Sequence, residues 1–180
     1  RRGSEREIGG RRKVGMDKIL YTQRLILRPL CVGDLVSAYA YSGDPENTRY
    51  MLWFDKTPAD TERFLRGAET EWRKEKPKFF EFAVVWQGVH IGAISLYLET
   101  ARLSGELGWI LHRDYHGKGF ATEAALAMRA FAFDEMRLDK LTAHCDARNR
   151  PSRCVMEKLG MVLVYADGAR RDRRTRGDGA

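Results

Sequence analysis

The stretch Gly105-Glu-Leu-Gly-Trp-Ile-Leu-His-Arg-Asp-Tyr-His-Gly-Lys-Gly-Phe-Ala-Thr-Glu-Ala124 decides the fold. Leu107, Trp109 and Leu111 fall on one side of an extended chain, and Glu106, Gly108 and Ile110 on the other. That alternation predicts a strand with one strongly apolar face and one face carrying a carboxylate and a bare glycine. Gly117 and Gly119 then allow a sharp turn. Ala124, Ala127, Met128 and Phe131, broadened by Leu126 and Phe133, predict a largely buried helix from Gly119 to about Met136. The N–H groups of Gly119, Phe120, Ala121 and Thr122 open that helix without intrahelical partners. At the positive end of the helix dipole, such donors suit a phosphate or pyrophosphate. Gly117-Lys-Gly-Phe-Ala121 meets neither the Walker A nor the dinucleotide spacing, and two glycines alone describe a tight turn equally well.

Outward from this centre, periodicity sets the other elements. Leu25 and Leu27 alternate with Arg24, Ile26 and Arg28 in a first strand that Pro29 closes. Gly33-Asp34 starts a helix through about Ser42, with Leu35, Ala38 and Tyr39 spaced toward a core. The aromatic run over residues 50–54 reads as core packing, and Thr57-Pro58 leads a charged helix to about Arg73. Phe80, Phe82, Val84 and Trp86, then Gln87-Gly88, then residues 90–98 form a hairpin signal. Residues 140–145 read as a strand, 150–159 as a helix stopped by Gly160, and 161–165 as a sixth strand. Residues 167–180 hold no apolar side chain beyond alanine, so no seventh strand is expected.

Composition bounds the class. With 180 residues, 43% hydrophobic, the chain is one domain's worth and buries a real core. No apolar run approaches membrane-helix length, and no apolar signal core stands near the N-terminus. Cys31, Cys145 and Cys154 form no CxxC pair, which suggests free thiols in a reducing cytoplasm. The net charge of +7 sits mostly at the ends: residues 1–15 carry +4 and residues 166–180 carry +2, leaving +1 for the body. Three parts follow: a disordered basic extension over 1–15, a domain over 16–165 with Met16 as its natural start, and a disordered Arg/Gly/Asp tail over 166–180. A nucleic-acid binder working through those ends would show salt-dependent binding, but the body offers no basic face.

His116-Gly-Lys-Gly-Phe-Ala121, followed by Thr122-Glu-Ala124, resembles the acyl-CoA pyrophosphate loop of the GNAT superfamily of N-acetyltransferases, most of all the branch with the ribosomal-protein N-terminal acetyltransferases. Arg24-Leu-Ile-Leu-Arg-Pro-Leu30 resembles that family's opening strand and Gly105-Glu-Leu-Gly-Trp-Ile110 its fourth. Asn149-Arg-Pro-Ser-Arg-Cys-Val-Met-Glu-Lys-Leu-Gly-Met161 resembles its second CoA-contacting helix. The resemblance spans residues 21–165 and implies an α/β (α+β) fold: a mixed, mostly antiparallel twisted sheet flanked by helices. It also implies acetyl-CoA as cosubstrate, no metal, and direct acetyl transfer to a primary amine. The family closes its sheet with a C-terminal hairpin, so this chain departs from it after residue 165 and leaves an unpaired edge.

The reaction needs an amine without its proton, a polarised carbonyl and a proton for the leaving thiolate. An α-amine titrates near pH ~8, so a modest base suffices. The resemblance puts Glu106 in that role; a solvated carboxylate on a half-exposed strand is the plain alternative. Gly108, with the same facing, would let the pantetheine arm approach the backbone closely. Many members protonate the thiolate from a tyrosine, but Met156 stands at that place and cannot donate. Ser152 resembles the hydroxyl used in the ribosomal-protein branch, or else only caps its helix.

The CoA contacts implied are Trp109, Ile110, Leu111, His116, Gly117, Lys118, Gly119, Phe120, Ala121, Thr122, Asn149 and Ser152. His116 replaces the family's preferred Gln or Arg, and its neutral ring would donate to a phosphate oxygen; Lys118 adds a point charge or is a solvated loop lysine. A ping-pong route through Cys145 would need a base within reach and ranks below direct transfer. The implied acceptor is a protein N-terminal α-amine. Small amines, a non-catalytic CoA-binding module, and either a monomer or a homodimer stay open.

Overall fold

The computed structural model describes residues 14–99, 103–166 and 174–175. Of the two basic ends, residues 1–13, 167–173 and 176–180 lie outside that set, and with them most of the extension and tail expected above.

Strands β1 (Leu20–Tyr21) and β2 (Leu25–Pro29) lead through a 3-10 turn, Val32–Asp34, into helix α1 (Leu35–Ser42). A two-residue strand β3 (Trp53–Phe54) precedes α2 (Pro58–Arg73), which Thr57 and Asp60 cap reciprocally. Strands β4 (Phe79–Trp86) and β5 (Val89–Glu99) form the expected hairpin; Gln87 and Gly88 both take positive φ, as a tight hairpin turn requires. Then come β6 (Ser104–Leu111), α3 (Phe120–Ala130), β7 (Lys140–Ala143), α4 (Arg150–Lys158) and β8 (Arg174–Thr175). The main sheet runs β1-β2-β4-β5-β6-β7, antiparallel throughout except for the parallel pair β6–β7.

The alternation seen in the sequence sorts the two faces. Leu25, Leu27, Phe80, Phe82, Val84, Ile94, Leu96, Leu107 and Leu111 meet Phe120, Ala124, Met128, Val155 and Leu159 of α3 and α4. The opposite face, with Ala83, Ala93 and Ile110, packs beneath Ala38, Tyr41 and Leu65 of α1 and α2. In α1 the buried ring is Tyr41; Tyr39 is only half-buried. The long helix ends its α-helical part at Ala130 and goes on as a π-helical turn, Phe131–Glu135, so that Met136 donates to the Phe131 carbonyl.

The sixth strand expected over residues 161–165 is not formed. Gly160, at φ +77°, ends α4, and Met161 N–H donates back to the Met156 carbonyl. Val162, Leu163, Val164 and Tyr165 then run without strand structure, 82%, 81%, 87% and 74% exposed. Their β-propensity has no neighbouring strand to act on, and propensity without a pairing partner does not make a strand. Within the tail, the described residues Arg174 and Thr175 pair in parallel with Trp53 and Phe54.

Candidate active site

Strands β6 and β7 pair over only four rungs, from Ser104↔Lys140 to Leu107↔Ala143. Beyond Ala143 the second strand ends while the first continues to Leu111. Because the two are parallel and each is followed by a helix, the N-termini of α3 and α4 lie at the same end of the sheet, where the ladder has opened. A crevice beyond the carboxyl ends of adjacent strands is where open sheets of this kind take ligands.

The other edge of β6 fixes which backbone groups face this opening. His112 N–H donates to the Ile91 carbonyl, so the antiparallel alternation joins Ile110 and Gly108 to β5. Trp109 and Leu111 therefore turn their N–H and C=O toward the crevice. Leu111's carbonyl is taken by Asn47 Nδ2 at 3.1 Å and His116 Nε2 at 2.9 Å. Ile110, expected among the CoA contacts, points its backbone to β5 and buries its side chain under α1 and α2.

The glycine turn before α3 is held in place by contacts between residues about a hundred positions apart. Gly117 and Gly119 adopt φ +73° and +79°, a conformation that any side chain would strain, and Gly119 is the N-cap of α3. Glu123 in the first turn accepts from Thr22 Oγ1 at 2.6 Å, Arg24 N–H at 2.7 Å and Arg24 Nε at 2.7 Å. Burial pushes the Glu123 carboxyl up, but these donors outweigh it and hold it below the usual range. The same guanidinium donates from Nη1 to the Lys118 carbonyl at 3.0 Å and lies 4.5 Å from the Phe120 ring centre. The start of β2 is thus clasped to the mouth of α3, with a cation beside the free N–H groups of Gly119, Phe120, Ala121 and Thr122. That arrangement fits a pyrophosphate.

Two polar loop residues behave differently from expectation. His116 Nε2 faces a carbonyl and so must be the protonated nitrogen; in the neutral ring Nδ1 then carries no proton to give a phosphate. Lys118 Nζ folds back to the Asp114 carbonyl at 2.9 Å, over the Tyr115 ring.

At α4, Asn149 Oδ1 accepts from Ser152 N–H at 3.2 Å, so Asn149 is the cap. Ser152 does not cap its own helix, and its hydroxyl makes no hydrogen bond among the described residues. Just before this cap, Arg148 lies 5.8 Å from the Tyr50 ring, with Arg49 4.7 Å away on the same ring. The loop after α1 therefore reaches the mouth of the crevice.

On the α1 and α2 face, Glu106 stands beside Thr142 in the last rungs of the ladder, and its Oε1 lies 3.0 Å from His144 Nδ1. They line a groove of about 390 Å³ with Tyr97, Glu99, Ser104 and Thr142. Gly108 does not leave open space here, since a Cβ would meet Ser95 Oγ at 2.8 Å. His144 has no metal-ligand spacing with the cysteines, and its alternation with Thr142 and Lys140 is the signal that places it on this face. Cys145, expected as a weaker nucleophile candidate, has its thiol pushed up by burial and by Asp146, which opposes thiolate formation.

Residues 24–162 match the acetyltransferase (GNAT) domain family. YnaD of Bacillus subtilis, named as an uncharacterised N-acetyltransferase, is 30% identical over 140 residues, covering 78% of this chain and 80% of YnaD. The crystal structure of a GNAT-family acetyltransferase from Bacillus anthracis superposes with a TM-score of 0.74 at 29% identity, covering 82% of this chain and 86% of that one. RimL, the ribosomal L7/L12 α-N-protein acetyltransferase, shares the fold at a TM-score of 0.66 and 16% identity, with 78% of each chain covered. The chain belongs to the GNAT acetyltransferases and is an acetyl-CoA-dependent N-acetyltransferase.

Proposed function

We propose that the chain acetylates a protein N-terminal α-amine, in the manner of the ribosomal-protein acetyltransferases. The observation that supports this reading is that the two halves of the candidate site lie on opposite faces of the sheet, at the end where the β6–β7 pairing stops. The helix N-termini of α3 and α4 open on one face, while Glu106 and its groove open on the other. Acetyl-CoA enters from the first face and the amine from the second. They meet beside Trp109, the first crevice-facing residue past the last rung, whose N–H polarises the thioester carbonyl. Ser152 supplies the proton to the departing thiolate, and Glu106 is the carboxylate that faces the acceptor ammonium. A groove open to solvent suits the end of an extended chain better than a small enclosed amine. The likeness in fold to RimL is consistent with that choice. Three free thiols among the described residues suit a reducing cytoplasm as its setting.

The test is titration of acetyl-CoA by calorimetry, followed by free-thiol release with peptides of free or blocked N-termini and with small amines. Free peptide N-termini are expected to release thiol fastest and blocked ones not at all. Faster release with a small amine overturns the peptide assignment.

A further inference from the structure

We propose that His144, rather than Glu106 itself, takes the proton from the acceptor ammonium, with Glu106 orienting the imidazole; this rests on the acetyl-transfer reading above. His144 is the first residue after β7, one position beyond the last rung, on the same face as Glu106 and Thr142. Its Nδ1 lies 3.0 Å from Glu106 Oε1, while Nε2 has no partner among the described residues. A carboxylate only accepts, so a Glu106 oxygen this close to Nδ1 favours the ring tautomer with its proton there, which would leave Nε2 as the free lone pair of a side chain that lines the groove. That is the orienting role a carboxylate plays beside a catalytic histidine on unrelated folds.

The reaction selects the imidazole over the carboxylate. Ordinary carboxyls titrate near ~4, imidazoles near ~6.5 and α-amines near ~8, so an imidazole is the better-matched proton acceptor for an ammonium at neutral pH. In the step, Nε2 takes one proton from the ammonium, the freed amine nitrogen bonds to the thioester carbonyl carbon, and the carbon–sulfur bond breaks. The second amine proton passes to solvent as the amide forms, and the sulfur leaves as a thiol protonated through Ser152, whose hydroxyl regains its proton from solvent. Stability gives no rival reason for the pair. The His144 and Glu106 side chains are 74% and 51% exposed, and ion pairs so placed add little to folding. The charged or titratable groups around the ring are Glu106 from β6, Tyr97 and Glu99 from β5, Lys140 from its own strand, and Cys145 and Asp146 just after it.

The experiment measures kcat/KM against pH for wild type, His144→Ala and Glu106→Gln with the best acceptor, alongside acetyl-CoA affinity. His144→Ala is expected to lower kcat/KM at pH 7 on the order of a hundredfold, to remove the acid limb and to be partly restored by added imidazole, with acetyl-CoA affinity unchanged. Glu106→Gln should lose less, because the imidazole keeps its lone pair and loses only the carboxylate that orients it. A His144→Ala enzyme within about threefold of wild type with the same acid limb overturns the assignment and returns the role to Glu106. If wild type releases no thiol with any amine, the acetyl-transfer reading falls and this one with it.

Discussion

The two strand–helix units that meet at the crevice, β6–α3 and β7–α4, are finished to different degrees. The first has an eight-residue strand, a loop tied down by Arg24, Asn47 and His116, and a helix whose first turn is clasped to β2 through Glu123. The second has a four-residue strand with one neighbour, a helix burying Val155 and, at its C-cap, Leu159, and a following apolar run left in solvent. The cosubstrate is the same in every turnover, so its half gains from donors fixed before binding. On the function proposed above, the acceptor comes instead by the sheet face of Glu106 and His144, along the open groove there.

The sharpest way to break this contrast is at the rigid half. Gly119→Val places a β-branched residue at φ +79° on the N-cap, with its Cβ 3.4 Å from an Arg24 nitrogen. Turning the N-cap out of its conformation disperses the helix donors. Acetyl-CoA affinity is expected to fall on the order of a hundredfold while circular dichroism stays unchanged. Calorimetry showing a change of less than threefold would mean that the crevice walls, not this helix mouth, hold the cosubstrate.

At the looser half, Ser152 and Asn149 separate chemistry from capping. Ser152→Ala should lower kcat about tenfold without moving the unfolding midpoint, since no structural bond uses its hydroxyl. Asn149→Ala should cost about 1 kcal/mol of stability through the lost cap. Equal effects of both substitutions on stability would remove the proton-donor role from Ser152.

What was legible in the sequence follows the same divide. Alternation over residues 79–86, 89–99 and 104–111, and the glycine stops at 117, 119 and 160, are local signals, and each produced its element. The clasp of Thr22 and Arg24 on Glu123 joins residues about a hundred positions apart, which no window of sequence displays. The Glu106–His144 contact depends on the parallel register between β6 and β7, set by how α3 crosses between them. The strand expected over 161–165 failed for the opposite reason: its local signal was present, but a strand also needs a neighbour.

A smaller effect tests the clasp itself. Glu123→Gln keeps the size and loses the charge facing Arg24. Arg24 is 41% exposed at the side chain, so solvent screens the pair and the loss should be about 1 kcal/mol, read by denaturant unfolding. The accompanying loss of acetyl-CoA affinity should be a few-fold, well short of that in Gly119→Val. A full-sized loss would show that the cation beside the loop, more than the helix mouth, holds the anion.

The smallest effect lies far from the crevice, in the polar network under α1. His90 Nε2 donates to the Gly92 carbonyl at 2.8 Å, its Nδ1 is 2.7 Å from Ser37 Oγ, and Asp34 Oδ1 is 3.7 Å away. Burial pushes the His90 imidazole below its ordinary range, and the attraction of Asp34 offsets that only in part. Unfolded His90 therefore takes up a proton near pH ~6.5 that the folded chain refuses, so stability falls as the pH drops from there toward the folded value. For Asp34, burial acts to raise the carboxyl, but Arg28 and the Cys31 N–H outweigh it and hold it low. Its contribution is complete above the ordinary carboxyl range and is lost only in stronger acid, outside this window. Unfolding free energies between pH 7.5 and 5.5 should decline in wild type by less than about 1 kcal/mol overall and stay flatter in His90→Gln. Parallel slopes in the two proteins would assign the decline to histidines outside this network.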